Sequence, residues 1–165
     1  MKSLNSKYKP LFDDKTRYYI LTGGRASGKS YAINYLALFL TFEKGQNVLF
    51  TRYTMTSTKT SIIPDFRKSI EEMGLEGAFT INNTEIINNQ TGNILYFRGI
   101  KTGSGNQTAA LKSLSNIGTW ICEEAEEIPD FDTFNKINLS VRSNEVHNRV
   151  VLALNPATKE HWIYL

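Results

Sequence analysis

Apolar residues run along the chain in short blocks whose period switches between that of a strand and that of a helix. Tyr18-Tyr19-Ile20-Leu21-Thr22 is rich in β-formers, and Tyr31 to Phe42 is apolar nearly all round, as a helix buried against a sheet should be. Gly45 ends that helical pattern and Asn47-Val48-Leu49-Phe50-Thr51 reads as a second strand, closing a strand, helix, strand unit whose strands pair in parallel. From Ser57 to Met73 apolar residues recur at 62, 63, 66, 70 and 73, close to helical spacing, with Pro64 either kinking the helix or starting its second part and Gly74 ending it. Phe79-Thr80-Ile81, Glu85-Ile86-Ile87 and Ile94-Leu95-Tyr96-Phe97 are short β-like runs, separated by the turn-forming Asn82-Asn83 and the stretch 88–93; they predict an inserted β-meander. Lys101 to Gln107, with Gly103 and Gly105, reads as an exposed loop. Ile117 to Cys122 predicts a buried strand, Phe131 to Val141 a helix, and Arg149 to Leu154 a continuous apolar strand of the kind found inside parallel sheets. The fold class is therefore α/β with a mainly parallel central sheet.

Composition narrows the class without naming a function. At 165 residues, 41% hydrophobic and 21% charged, the chain has the size and balance of one globular domain. A net charge of +3 is compatible with a polyanionic partner and does not by itself argue for one. The single cysteine, Cys122, rules out an internal disulfide and lies in an apolar strand as a core residue. No apolar run reaches the length of a membrane span, and Met1 to Asp14 has no secretory apolar region.

The chemistry begins at Gly23-Gly24-Arg25-Ala26-Ser27-Gly28-Lys29-Ser30, a complete G-x-x-x-x-G-K-[ST] loop set between an apolar strand and an apolar helix. Such a loop wraps backbone N–H groups around a polyphosphate, sends Lys29 toward the β/γ oxygens and leaves the Ser30 hydroxyl to hold Mg²⁺. The positive end of the helix dipole reinforces the anion site. The bland alternative is a Gly/Ser-rich turn that merely caps a helix. The motif and its context point to a P-loop nucleoside triphosphatase, with ATP and Mg²⁺ as the expected cofactors.

A second signal is Thr119-Trp120-Ile121-Cys122-Glu123-Glu124, an apolar strand ending in adjacent carboxylates. One acid at the tip suits the Mg²⁺ shell and the next can orient and deprotonate an attacking water, so Glu123 is assigned to the metal and Glu124 to the water. Against this stands a plain solvated acidic stretch made of Glu123, Glu124, Glu126, Glu127 and Asp130 at a helix start; Glu126 and Glu127 are left with that plain role. A third signal is Leu154-Asn155-Pro156. If its strand lies between the phosphate-loop strand and the acidic one, Asn155 sits beside the γ-phosphate as a sensor; otherwise Asn-Pro is an ordinary turn starter. Tyr8 and Phe12 either stack on adenine or pack internally, and Arg52 and Arg98, at strand ends, read as surface charges.

With these signals in order, the chain resembles the N-terminal ATPase domain of the large terminase subunit of tailed bacteriophages, the motor that pumps DNA into capsids. The resemblance rests on the phosphate loop, on Val48-Leu49-Phe50-Thr51-Arg52, Ile94-Leu95-Tyr96-Phe97-Arg98-Gly99, Leu111-Lys112-Ser113, Trp120 to Ile128, Leu154-Asn155-Pro156 and His161-Trp162-Ile163-Tyr164. It implies a three-layer P-loop fold of the additional-strand catalytic-glutamate type, a homo-oligomeric ring at the portal vertex, and Asn155 in the motif that couples hydrolysis to movement. It further implies double-stranded DNA, the portal protein and the small terminase subunit as partners, in the host cytoplasm. Arg25, inside the loop, is assigned as a cis-acting finger or phosphate clamp; Arg142 is either the arginine that reaches a neighbouring subunit or a solvated loop residue. The nuclease domain usual in the family is missing from residues 1–165, so the expectation is one ATPase domain, truncated at its C-terminal end and without nuclease activity. The competing functions are a small-molecule P-loop kinase and a nucleotide-binding remnant.

Overall fold

The computed structural model describes residues 4–55, 58–102, 105–106, 111, 113–155 and 158–164. Along the chain come β1 (Tyr18–Thr22), α1 (Lys29–Leu40), β2 (Asn47–Arg52), α2 (Ile63–Met73), β3 (Phe79–Ile81), β4 (Glu85–Asn88) and β5 (Ile94–Gly99). They are followed by the short pair β6 (Lys101–Thr102) and β7 (Gly105–Asn106), then β8 (Ile117–Glu123), α3 (Phe131–Asn138) and β9 (Arg149–Leu154). The main sheet has the order β1-β9-β8-β2-β5-β4-β3. Pairing is parallel from β1 through β9, β8 and β2 to β5, and antiparallel from β5 to β4 and β3.

Helices cover both faces, which is why the central strands are apolar on nearly every residue. On one face α1, α2 and the 3₁₀ turn Ser6–Phe12 pack on Val48, Phe50, Ile121, Val151 and Ala153. On the other, α3 packs on Leu49, Trp120, Cys122, Val150 and Leu152. Phe66 of α2 meets Phe50 and Phe97 edge-on, at centroid distances of 5.4 and 5.1 Å, a geometry aromatic rings prefer. Trp120 stacks on Phe134 and donates its indole N–H to Thr51 Oγ1 at 2.9 Å, so its polar atom is satisfied inside the core. Burial pushes the Cys122 thiol up to about 12, which leaves it an inert core group.

Several predicted boundaries shift for identifiable reasons. The inserted meander is present, and β5 pairs with β2, so that it extends the main sheet. The long helical pattern divides: a π-type turn at Thr58–Ile62 precedes α2, with Pro64 in the first turn of α2, where its missing N–H costs nothing. Gly74 ends α2 in the left-handed conformation at φ 68°. The third helix stops at Asn138 rather than Val141; Arg17 Nη2 donates to the Val141 carbonyl at 2.9 Å and helps satisfy the turn beyond it. Within the predicted loop 101–107, β6 and β7 pair in a two-rung ladder. Ser57, Gly103, Gln107, Lys112 and Pro156 lie outside the described residues.

Candidate nucleotide site

All the parallel strands run the same way, so the segments leaving their C-terminal ends meet along one edge of the sheet. The Gly23–Ser30 loop follows β1, Asn155 follows β9, Glu123 ends β8 with Glu124 directly after it, and Arg52 ends β2. Together they line a cavity of about 380 Å³. Because β9 lies between β1 and β8, the condition set for Asn155 by sequence is met.

Within the loop, Gly28 takes φ 85° as the N-cap of α1, and Ala26 also adopts a positive φ, of 61°. The left-handed turn directs the start of the helix at the cavity and needs a residue without Cβ at position 28. The Lys29 ammonium donates to the carbonyl of Gly23, to that of Gly24 at 3.2 Å and to Ser27 Oγ at 3.3 Å. Ser30 Oγ donates to Glu123 Oε1 at 2.7 Å, across 93 residues of sequence. Arg52 donates to the other oxygen, Oε2, from Nε at 2.9 Å and Nη2 at 2.6 Å. Burial works against the Arg52 charge, but Glu123 outweighs it and strengthens the guanidinium's hold on its proton. Glu124 follows in the left-handed conformation at φ 57°, a position that costs a non-glycine residue about 1–2 kcal/mol. Desolvation raises its carboxyl above the usual range; Glu127, Glu123 and Glu126 add to the rise and Arg52 opposes it.

The cavity thus gathers Gly24, Arg25, Ala26, Ser27, Gly28, Lys29, Ser30, Glu123, Glu124 and Asn155, with Gly23 bound to Lys29 from the same loop. Arg142 is not brought there. It is exposed at the N-terminal end of the sheet, lining a separate hollow with Leu114, Asn116, Leu139 and Ser140. Three residues read as plain surface groups have specific partners instead, among them Arg98, which reaches Glu85 Oε1 at 3.5 Å. Arg52 holds Glu123, and Glu126 accepts from both the backbone N–H of Asn155 at 3.2 Å and its Nδ2 at 3.1 Å. Arg52 was recoverable as a polar residue at the tip of a strand that ends beside the others; nothing in local spacing marks Glu126. Tyr8 is buried and donates its hydroxyl to the Ser27 carbonyl at 2.9 Å, beside a hollow of about 420 Å³ shared with Leu4, Asn5, Gly28 and Tyr31. Phe12 packs edge-on against Tyr35 and Phe39.

A parallel sheet with a phosphate loop after one strand, an acidic tip two strands away and an additional strand between them is the three-layer fold of a P-loop nucleoside triphosphatase of the additional-strand type. Residues 15–165 match the family model of the phage terminase large subunit, and the chain belongs to that family. Among solved structures it is similar to the large terminase of a thermophilic bacteriophage, at TM-score 0.77 and 13% identity over 99% of this chain and 42% of that one. The same phage's terminase in complex with ADP also matches, at TM-score 0.67 and 15% identity over 88% and 36%. The HK97 bacteriophage large terminase matches at TM-score 0.74 and 13% identity, over 98% of this chain and 35% of that one. The N-terminal domain of the DNA packaging ATPase from bacteriophage phi29 matches at TM-score 0.71 and 14% identity, over 98% and 83%. The chain therefore spans 42% of the thermophilic phage protein's length and 35% of the HK97 protein's. No curated protein sequence matches it.

Proposed function

We propose that this chain hydrolyses ATP and that, in an assembled homo-oligomeric ring, hydrolysis drives double-stranded viral DNA into a procapsid. The observation that carries the proposal is the convergence of Lys29, Ser30, Glu123, Glu124 and Asn155 on one cavity at the C-terminal edge of a parallel sheet. Family membership and the packaging ATPases sharing the fold support it.

The cavity's groups take complementary roles. Backbone N–H groups of Gly24 to Ser30 and the Lys29 ammonium receive the phosphates, the lysine exchanging its carbonyl partners for phosphate oxygens. Ser30 Oγ and a Glu123 oxygen, 2.7 Å apart, form a hard oxygen pair suited to Mg²⁺. When bound, Mg²⁺ neutralises charge on the phosphates. Glu124 orients the attacking water and accepts its proton, for which a carboxyl raised above its ordinary value is better matched to neutral pH. Arg25, on the loop, offsets charge developing on the γ-phosphoryl group, and Asn155 reads that group's presence. Arg142 lines a hollow apart from the nucleotide cavity, and its proposed role is exercised on a neighbouring subunit. The hollow that Tyr8 and Tyr31 line beside the loop is the proposed seat of the base. DNA is gripped through its phosphates, as a motor indifferent to sequence requires, and binding weakens with salt. The portal protein and small terminase subunit are the proposed partners, in the host cytoplasm. Among the described residues no helix is long and apolar enough to cross a membrane.

Phosphate release measured with and without double-stranded DNA tests this. The wild-type chain is expected to release phosphate with stimulation by DNA, Lys29→Ala to lose nucleotide binding, and Glu124→Gln to bind ATP while losing about 10²–10⁴ in rate. Turnover that depends on a small-molecule acceptor would identify a kinase, and binding without release a nucleotide-binding remnant.

A further inference from the structure

Glu126 lies outside the groups assigned above, yet a single oxygen of its carboxylate, Oε1, accepts from both the backbone N–H and the side-chain Nδ2 of Asn155. Two bonds from one acceptor to the main chain and side chain of the same residue restrict the amide's rotation. They leave its second N–H and its Oδ1 for the cavity that Asn155 lines. The second Glu126 oxygen, Oε2, is buried without a hydrogen-bond partner among the described residues.

The segment around Glu126 is itself anchored. Its backbone carbonyl can only accept, so the 2.9 Å contact places a hydrogen on His161 Nε2, while His161 Nδ1 accepts from the Ile163 N–H at 3.3 Å. Two residues on, the Ile128 carbonyl accepts from the Trp162 indole at 2.7 Å, and Trp162 packs on Phe134 of α3 at 5.2 Å. The turn after β8 is thus tied to the chain on the far side of Asn155 as well as to Asn155 itself.

We propose that Glu126 is a positioning residue that fixes the Asn155 amide in the orientation that distinguishes a nucleoside triphosphate from a diphosphate. The proposal rests on the ATP-site reading and adds to it a residue that never touches nucleotide. A carbonyl oxygen at position 126 meets the same geometric demand, because only acceptor capacity is used.

Calorimetric titration of the full chain with a non-hydrolysable ATP analogue and with ADP, both with Mg²⁺, tests it without requiring turnover. Wild type is expected to prefer the analogue. Glu126→Ala is expected to reduce that preference by about tenfold or more, the usual size of a lost bond to a charged group, with ADP affinity and melting temperature little changed. Glu126→Gln should keep most of the preference. Asn155→Ala should reduce it at least as far, and adding Glu126→Ala to Asn155→Ala should change nothing further. The proposal is overturned if Glu126→Ala keeps the wild-type preference, if the two effects multiply in the double variant, if ADP affinity falls in parallel, or if wild type shows no preference. A wild-type chain that binds neither nucleotide sinks the ATP-site reading as well.

Discussion

Arg52 grips one oxygen of Glu123 with two nitrogens while Ser30 takes the other, so both oxygens of that carboxylate are committed within the protein. Both partners are largely shielded from water, and removing one leaves a desolvated charge behind. Arg52→Ala is accordingly expected to lower stability by about 1–3 kcal/mol in urea denaturation, whereas a surface arginine would leave the midpoint unmoved. Next to it, Glu124 has a carboxyl raised by desolvation, so its charged form is disfavoured in the folded state. A carboxyl whose folded value exceeds its unfolded one costs stability above the folded value and nothing below the unfolded one. In metal-free buffer with chelator, Glu124→Gln should therefore melt higher than wild type at neutral pH. That advantage should fade as the pH falls through the folded value and vanish below the ordinary 4.5. A pH-independent difference would contradict the assignment.

Elements with strong local signals behave as their sequences indicate. The apolar run 150–154, with the buried Arg149 ahead of it, is β9 and is buried at every position, because a strand covered on both faces needs no alternation. Gly74 was legible as a helix stop, and it occupies the left-handed C-cap of α2 with nothing within 4 Å of an added Cβ. Gly74→Ala should thus cost about 1–2 kcal/mol from backbone strain alone, with nucleotide affinity untouched, as denaturation and titration of the same variant would show. Leu139 and Val141 continue the apolar pattern and so predict a third helix reaching Val141, whereas the helix ends at Asn138 and Arg17, from far earlier in the chain, takes the Val141 carbonyl. The meander's strands were visible one by one. That β5 lies against β2 was not, since the choice of partner for a strand is made by sheet order and not by its own residues.

Across the whole molecule, the strands that carry the site are also the centre of both hydrophobic layers. Phe66 of α2 touches the sheet through Phe50 and Phe97 and is fully buried, so Phe66→Ala should cost about 3–5 kcal/mol, read from the urea midpoint. The phosphate loop, the acidic strand tip and Asn155 could be picked out from the sequence because each depends on residue types at short, fixed spacing after a strand, and local geometry follows from such spacing. Their convergence, the Arg52 clamp 71 residues from Glu123 and the Glu126 hold on Asn155, 29 residues away, came only from the order β1-β9-β8-β2. Side-chain period reports which face of an element is buried; it carries no record of which distant element stands beside it, and partners that far apart in the chain are chosen only when the sheet assembles.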